Sequence, residues 1–192
     1  FEAAGLPAGL LHVLPGDASV GEAMITDPNI AMISFTGSTA AGKRVGELAS
    51  RHLKRVTLEL GGKNSTIVLD DADLDVAASS AAWGAYLHQG QICMATGTVL
   101  AQRKIARDLT ERLVAKAKGL PVGDPSAGPC ALGPIISARQ IERIDGIVKD
   151  AVAKGAVLRA GGSYEQLFYK PTVLENVTPA MRVYTEEVFG PV

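Results

Sequence analysis

Three short stretches of this chain hold residue types that do chemistry. In Gly90-Gln91-Ile92-Cys93-Met94 a thiol follows a long helical pattern and is flanked by small and polar residues that let the backbone approach a substrate closely. A thiolate is a strong nucleophile, and an electropositive or dipole-favoured loop lowers its pKa; the same sulfur in an apolar interior is inert. Both readings of Cys93 stand on local context alone. In Glu59-Leu60-Gly61-Gly62-Lys63 a carboxylate closes an apolar run. The carboxyl ends of strands in an open α/β sheet face the ligand crevice, so Glu59 suits proton transfer, and it suits an ordinary salt bridge equally well. In Phe35-Thr36-Gly37-Ser38-Thr39-Ala40-Ala41-Gly42 a glycine-rich turn joins a strand-like run to a helix-like one. Backbone N–H groups at a helix start, with the helix dipole, attract phosphate, although such a turn also serves helix packing alone.

Rival chemistries fail on specific residues. A P-loop needs Ser or Thr after its lysine to hold magnesium, and Lys43 is followed by Arg44. A cysteine hydrolase needs a histidine base; His12, His52 and His88 all precede Cys93, whereas the papain-like order places the base well downstream. That leaves Gln91, two residues before the thiol, without the partner that would make it an oxyanion donor in such an enzyme. A calcium loop over the acidic run Asp70 to Asp75 would need Gly where Val76 stands and Glu where Ala82 stands. These carboxylates read instead as a helix start, where they complement the dipole. Cys130 lies in a Pro/Gly loop with no acid or amide motif beside it and reads as structural.

The elements that must position these residues follow from periodicity. Leu10 to Leu14 and Ile30 to Phe35 are short apolar runs ended by glycine turns, the pattern of buried parallel strands. Ser38 or Thr39 can cap a helix to about Leu53, with Val45, Leu48, Ala49 and Leu53 on one face, and Val56 to Leu60 makes a third strand. This alternation predicts a parallel sheet of the nucleotide-binding type, with a domain boundary near Gly61. Beyond it the pattern predicts a strand at Ser65 to Leu69, a helix to about Tyr86, a strand at Val99 to Gln102, and a helix over Ile105 to Lys118 with Ile105, Leu109, Leu113 and Ala117 inward. A second amphipathic helix opens on the capping box Ser137-Ala138-Arg139-Gln140, buries Ile141, Ile144 and Val148, and ends at Gly155. Strands near Ala156 to Arg159 and Thr172 to Leu174 complete a second α/β unit.

Composition narrows the class. With 192 residues and 47% hydrophobic content the chain can bury a sizeable core. Its 19 basic and 20 acidic residues are intermixed, so no field of one sign favours nucleic acid or an anionic membrane. Two cysteines and three histidines make neither a disulfide framework nor a metal-ligand spacing, which fits a reducing, cytoplasmic setting. The sequons at Asn64 and Asn176 matter only in a secreted chain.

Taken together, FTGSTAAG, LELGGKN, GQICMA and the terminal EEVFGPV resemble the aldehyde dehydrogenase superfamily, in order and over essentially the whole chain. The resemblance implies that residues 1–60 are the C-terminal part of a Rossmann-like NAD(P)-binding domain and 61–192 most of an α/β catalytic domain. Cys93 would then attack the aldehyde, hydride would pass to NAD or NADP, and Glu59 would activate the water that hydrolyses the thioester. The turn Gly37, Ser38, Thr39, Ala40, Ala41, Gly42 would lie beside the cofactor pyrophosphate, with Ser38 in direct contact. Leu60 would offer its carbonyl to the nicotinamide amide, Glu187 would bind the nicotinamide ribose, and Phe189 would pack beside the ring. A small-molecule aldehyde is the expected partner, and a homodimer or homotetramer the expected full-length assembly.

The stretch Tyr86 to Gly97 looks like the branch acting on benzaldehyde, vanillin and salicylaldehyde, which implies an aromatic substrate; after Gly97 the match weakens, with Thr98-Val99 where an Arg-His pair is expected. Two alternatives within the superfamily are an acylating relative that passes the thioester to coenzyme A and a non-catalytic structural relative. The family's oxyanion-hole asparagine and adenosine-ribose lysine are expected upstream of Phe1, so this piece alone is expected to be inactive.

Overall fold

A strand exists only through a hydrogen-bonded neighbour, and the first strand of this chain to find one is β1, Met32–Gly37, which pairs in parallel with β2, Arg55–Leu60. The structure, a computed structural model, describes residues 1–192 except the side chain of Glu2. It is mixed α/β and divides into two compact units, Phe1–Gly61 and Gly62–Val192.

In the first unit α1, Ala18–Thr26, precedes β1, and α2, Thr39–Arg51, makes the crossover to β2. Asp17 caps α1 by accepting from Ser19 N at 2.9 Å, and Ser38 caps α2 by accepting from Ala41 N at 3.2 Å. The buried residues Ile25, Val45, Leu48 and Ala49, with Ile33, Phe35 and Leu58 against them, form the core. Leu10 to Leu14 forms no strand: β1 and β2 pair with each other alone, the segment joins neither, and Val13 is 82% exposed. Leu53 does not continue the apolar face of α2, because the helix ends at Arg51 and Leu53 turns left-handed at φ 53°, leaving it 95% exposed.

The second unit begins with β3, Asn64–Val68, joined through α3, Leu74–Tyr86, to the parallel strand β4, Thr96–Ala101. The acidic run starts α3 as expected: Asp73 accepts from Asp75 N at 2.9 Å and Val76 N at 3.1 Å. Next come α4, Arg103–Gly119, and α5, Ala138–Ala153. On α4, Ile105, Leu109 and Ala117 are buried as expected, together with Val114, while Leu113 is partly buried. The strands β5, Val157–Ala160, and β8, Val173–Glu175, pair antiparallel around a hairpin of β6, Tyr164–Glu165, and β7, Phe168–Tyr169, which sequence periodicity did not indicate. A short α6, Arg182–Thr185, follows. The largest core cluster centres on α5, with Ile141, Ile144, Ile147, Val148 and Ala151 packed against Met181, Val183 and Val188.

Only half of the expected capping box forms. Ser137 accepts from Gln140 N at 3.3 Å, but the Gln140 side chain reaches away to the C-terminal segment rather than back to Ser137. No helix among the described residues is long and apolar enough to cross a membrane.

Candidate active site

In the first unit the parallel register sets Thr36 beside Glu59 and Gly37 beside Leu60, at the carboxyl end of both strands. Glu59 is therefore at the same sheet edge as the turn that opens α2, and its side chain is exposed. Thr39, Ala40 and Ala41 are exposed at the helix start. The Ser38 hydroxyl accepts from Ala41 N, which leaves its own proton available to a ligand oxygen. Gly42 differs from its neighbours: it is buried, and a Cβ there would meet the terminal methyls of Leu60, whose side chain would have to turn away.

In the second unit the chain leaves α3 through three consecutive left-handed residues, His88 at φ 49°, Gln89 at φ 58° and Gly90 at φ 67°. Non-glycine residues rarely adopt this conformation, and it persists only where the surroundings over-determine it. Several contacts do so. Gln91 N donates to His88 O at 3.0 Å, and the Gln91 side-chain oxygen accepts from Ile136 N at 2.9 Å. That amide oxygen thus braces the loop. A Cβ on Gly90 would collide with the carbonyl of Gly190 and lie 2.9 Å from that of Ala85, so only glycine allows the C-terminal segment this close.

Immediately beyond the brace Cys93 is exposed on a turn. Its carbonyl accepts from Asn64 Nδ2 at 2.8 Å, and the same amide donates to Ala95 O at 3.1 Å. One side chain at the start of β3 therefore fixes both ends of the turn. Behind it, the buried Tyr86 hydroxyl at the end of α3 donates to Thr172 O at 3.2 Å, and Thr172 N donates to Pro191 O at 2.8 Å. Burial pushes the Tyr86 hydroxyl far up from its ordinary pKa and keeps it a donor.

The adjacent acids Glu186 and Glu187 have opposite surroundings. Arg182 donates to both oxygens of Glu186, at 2.8 and 3.1 Å, Arg143 lies 3.6 Å away, and the hydrogen bond to Arg182 holds the carboxyl below its usual range. Glu187 Oε1 is buried with no partner among the described residues. It lines a small pocket with Lys63, Gly90, Ile92, Phe189 and Gly190. Lys63 Nζ is also buried without a partner, and desolvation lowers its pKa to about 8.

Cys93, Glu187 and Phe189 were singled out by motif, and the second unit presents the thiol on an exposed turn while Glu187 and Phe189 share a pocket with the loop that leads to it. Asn64 and Gln140 were not singled out for such roles, since each acts through a backbone carbonyl distant in sequence, although Asn64 is the last residue of the LELGGKN motif.

The aldehyde dehydrogenase family model matches residues 1–192. Among curated relatives, a vanillin dehydrogenase of Amycolatopsis sp. is 56% identical over all of this chain and 40% of its own length. A benzaldehyde dehydrogenase [NAD(+)] of Pseudomonas putida is 51% identical over all of this chain and 39% of its own. The crystal structure of a salicylaldehyde dehydrogenase from Pseudomonas putida G7 complexed with salicylaldehyde superposes with a TM-score of 0.95 at 44% identity, covering 99% of this chain and 40% of that one. The chain thus spans about 40% of the length of the curated relatives it matches. With a family model that runs from the first residue to the last, the chain belongs to the aldehyde dehydrogenase family.

Proposed function

We propose that the whole protein oxidises an aldehyde to a carboxylic acid with reduction of NAD or NADP, and that Cys93 and Glu59 carry the covalent chemistry. Family membership supports the reaction class. The observation that carries the nucleophile assignment is an exposed thiol on a turn whose backbone is pinned by Asn64. Nucleophiles are held this way because a misplaced reacting atom forfeits the advantage of orientation.

In this reading the Cys93 thiolate adds to the aldehyde carbon and the carbonyl electron pair moves to oxygen. The Cys93 backbone N–H is the donor for the resulting oxyanion. Collapse of the thiohemiacetal re-forms the carbonyl and releases hydride, leaving a thioester on Sγ. The nicotinamide supplies the acceptor for that hydride. Glu59 then takes a proton from water as the water oxygen adds to the thioester carbon, the C–S bond breaks, and the thiolate is restored with release of the acid.

The residues present suit a dinucleotide. A buried carboxylate oxygen without a partner, as Glu187 Oε1 is, gains a hydrogen bond from a ribose hydroxyl. The exposed start of α2 at Thr39 to Ala41 and the free proton of Ser38 suit a pyrophosphate, with Gly37 and Gly42 shaping the turn. Leu60 would present its carbonyl to the nicotinamide amide and Phe189 its ring beside the nicotinamide. Residues 1–60 would then belong to the NAD(P)-binding domain and 61–192 to the catalytic domain. The vanillin and benzaldehyde dehydrogenase relatives support an aromatic aldehyde as substrate. We assign the whole enzyme to the cytoplasm as a homodimer or homotetramer.

The test uses the full-length enzyme. Cys93→Ser abolishes oxidation of benzaldehyde and vanillin, while Glu59→Gln keeps a first hydride burst and blocks steady turnover. Ordinary activity in Cys93→Ser rejects the nucleophile, a strict need for coenzyme A rejects hydrolysis as the second step, and a higher kcat/KM for short aliphatic aldehydes rejects the aromatic preference.

A further inference from the structure

The loop that carries the thiol and the linker between α4 and α5 meet through two glutamines. Each backbone donor of the linker from Leu132 to Ile136 has a partner. Leu132 N donates to Pro121 O at 3.1 Å and Ile135 N to Leu167 O at 2.7 Å, which ties the linker to the chain just after α4 and to the β6–β7 hairpin. Pro134 has no N–H. The remaining two donors go to side chains of the thiol's loop: Ile136 N to Gln91 Oε1 at 2.9 Å, and Gly133 N to the side-chain oxygen of Gln89 at 2.6 Å. Only one orientation of the Gln89 amide matches donors to acceptors, and in it the nitrogen donates to His88 O at 2.9 Å.

Of the two segments the linker is the firmly seated one. Leu132 and Ile135 are each 1% exposed, and Leu132 pairs with Val122 in a parallel bridge. The thiol's loop is the strained one, because His88 and Gln89 hold left-handed φ angles that persist only under outside support. Gly133 is buried, so removing its acceptor leaves a buried N–H unpaired.

We propose that Gln89 and Gln91 are positioning residues for the nucleophile: they hang the left-handed segment on two backbone N–H groups of the linker and so fix where Cys93, two residues after Gln91, presents its sulfur. This rests on the reading of Cys93 as the nucleophile. Each glutamine acts through the linker backbone.

The two amides are used differently, and that difference supplies the test. Gln91 gives its oxygen to Ile136 N, and a carboxylate of the same length accepts that hydrogen bond equally well. Gln89 uses both its oxygen and its nitrogen, and a carboxylate there faces the His88 carbonyl with no proton to give.

Two readouts on the full-length enzyme apply: the rate of the first hydride burst with benzaldehyde, and titration of NADH by the fluorescence of the bound dihydronicotinamide. Gln91→Leu and Gln89→Leu each slow the burst about tenfold, the scale of one hydrogen bond lost beside the reacting atom. The NADH dissociation constant stays at the wild-type value, because the partners lost are Gly133 and Ile136. Gln91→Glu recovers most of the burst rate, whereas Gln89→Glu does not.

A wild-type burst rate in both leucine variants overturns the proposal. So does a loss of NADH affinity in step with the burst, which marks general loosening of the fold, and so does a Gln91→Glu variant no faster than Gln91→Leu. Should the leucine variants fail to fold, the two glutamate variants decide, since the proposal requires position 91 to tolerate the change and position 89 to suffer from it. Ordinary activity in Cys93→Ser rejects the nucleophile reading and the positioning role with it, a result visible without any glutamine variant.

Discussion

Asn64 and Cys93 are 29 positions apart, yet the Asn64 amide donates to the Cys93 carbonyl at 2.8 Å and, with its second hydrogen, to Ala95 O at 3.1 Å. An amide has two donors, and both are spent on one turn. A carboxylate of the same shape has none and would face two carbonyl oxygens.

Asn64→Ala and Asn64→Asp should therefore both loosen the turn, at a cost of about 1–3 kcal/mol for the lost donors. The expected outcome in the full-length enzyme is a fall in kcat/KM with each, and Asp should be no better than Ala despite its similar size. Steady-state kinetics with benzaldehyde checks this; a near-normal Asp variant would show that the two hydrogen bonds do not hold the nucleophile.

The pairing of Glu186 with Arg182 separates two adjacent acids. Glu186→Gln should lower stability slightly, by about 0.3–1 kcal/mol for a partly exposed i,i+4 pair, and leave the cofactor KM close to wild type. Because the folded-state pKa of Glu186 is depressed, its contribution is present above the ordinary carboxylate range and is lost as pH falls through the folded value. Glu187→Gln should do the reverse, raising the cofactor KM while leaving Tm unchanged. Thermal melts and cofactor titrations on both variants decide; identical behaviour of the two would refute the distinction.

Lys63 predicts a pH signature. Burial lowers its folded pKa to about 8 from 10.5, so between those values the unfolded chain binds the extra proton and stability rises with pH. Below pH 8 both states are charged and the folded one bears the full desolvation penalty, at most about 3 kcal/mol. Lys63→Met should remove that penalty, raising Tm at pH 7 and flattening the rise between pH 8 and 10. A parallel pair of Tm against pH curves would mean that the ammonium is solvated or paired in the enzyme.

Two glycines should respond oppositely to alanine. At Gly90 the φ of 67° and backbone carbonyls on two sides leave no room for a methyl, and Gly90→Ala should cost about 2 kcal/mol or more together with most of the activity. At Gly119, the last residue of α4, a Cβ meets nothing, and Gly119→Ala should be neutral or stabilise by up to about 1 kcal/mol. Denaturant melts on the pair test this, and an equal response at both sites would contradict the packing described at Gly90.

What was legible in the sequence was local. The acidic start of α3, the Ser38 cap and the buried stripe Ile141, Ile144 and Val148 follow from spacings shorter than one helix, and the β-α-β alternation was legible too, but not the register that brings Glu59 level with Thr36. The motifs around Cys93 and Glu187 identified the family for the same reason, because each is a continuous run. Tertiary structure decided the rest. Leu10 to Leu14 has the composition of a strand but pairs with no other strand, and Leu53 has the spacing of a core residue but follows the helix end. Gln140 satisfies a capping pattern and spends its side chain on carbonyls 48 and 49 residues away instead. Between Glu186 and Glu187 the i,i+4 spacing from Arg182 favours Glu186, and Arg143, distant in sequence, joins it, leaving Glu187 Oε1 unpartnered. Periodicity records which face of an element is apolar, whereas a hydrogen bond between distant groups depends on where folding brings them, and no short window of residues encodes that distance.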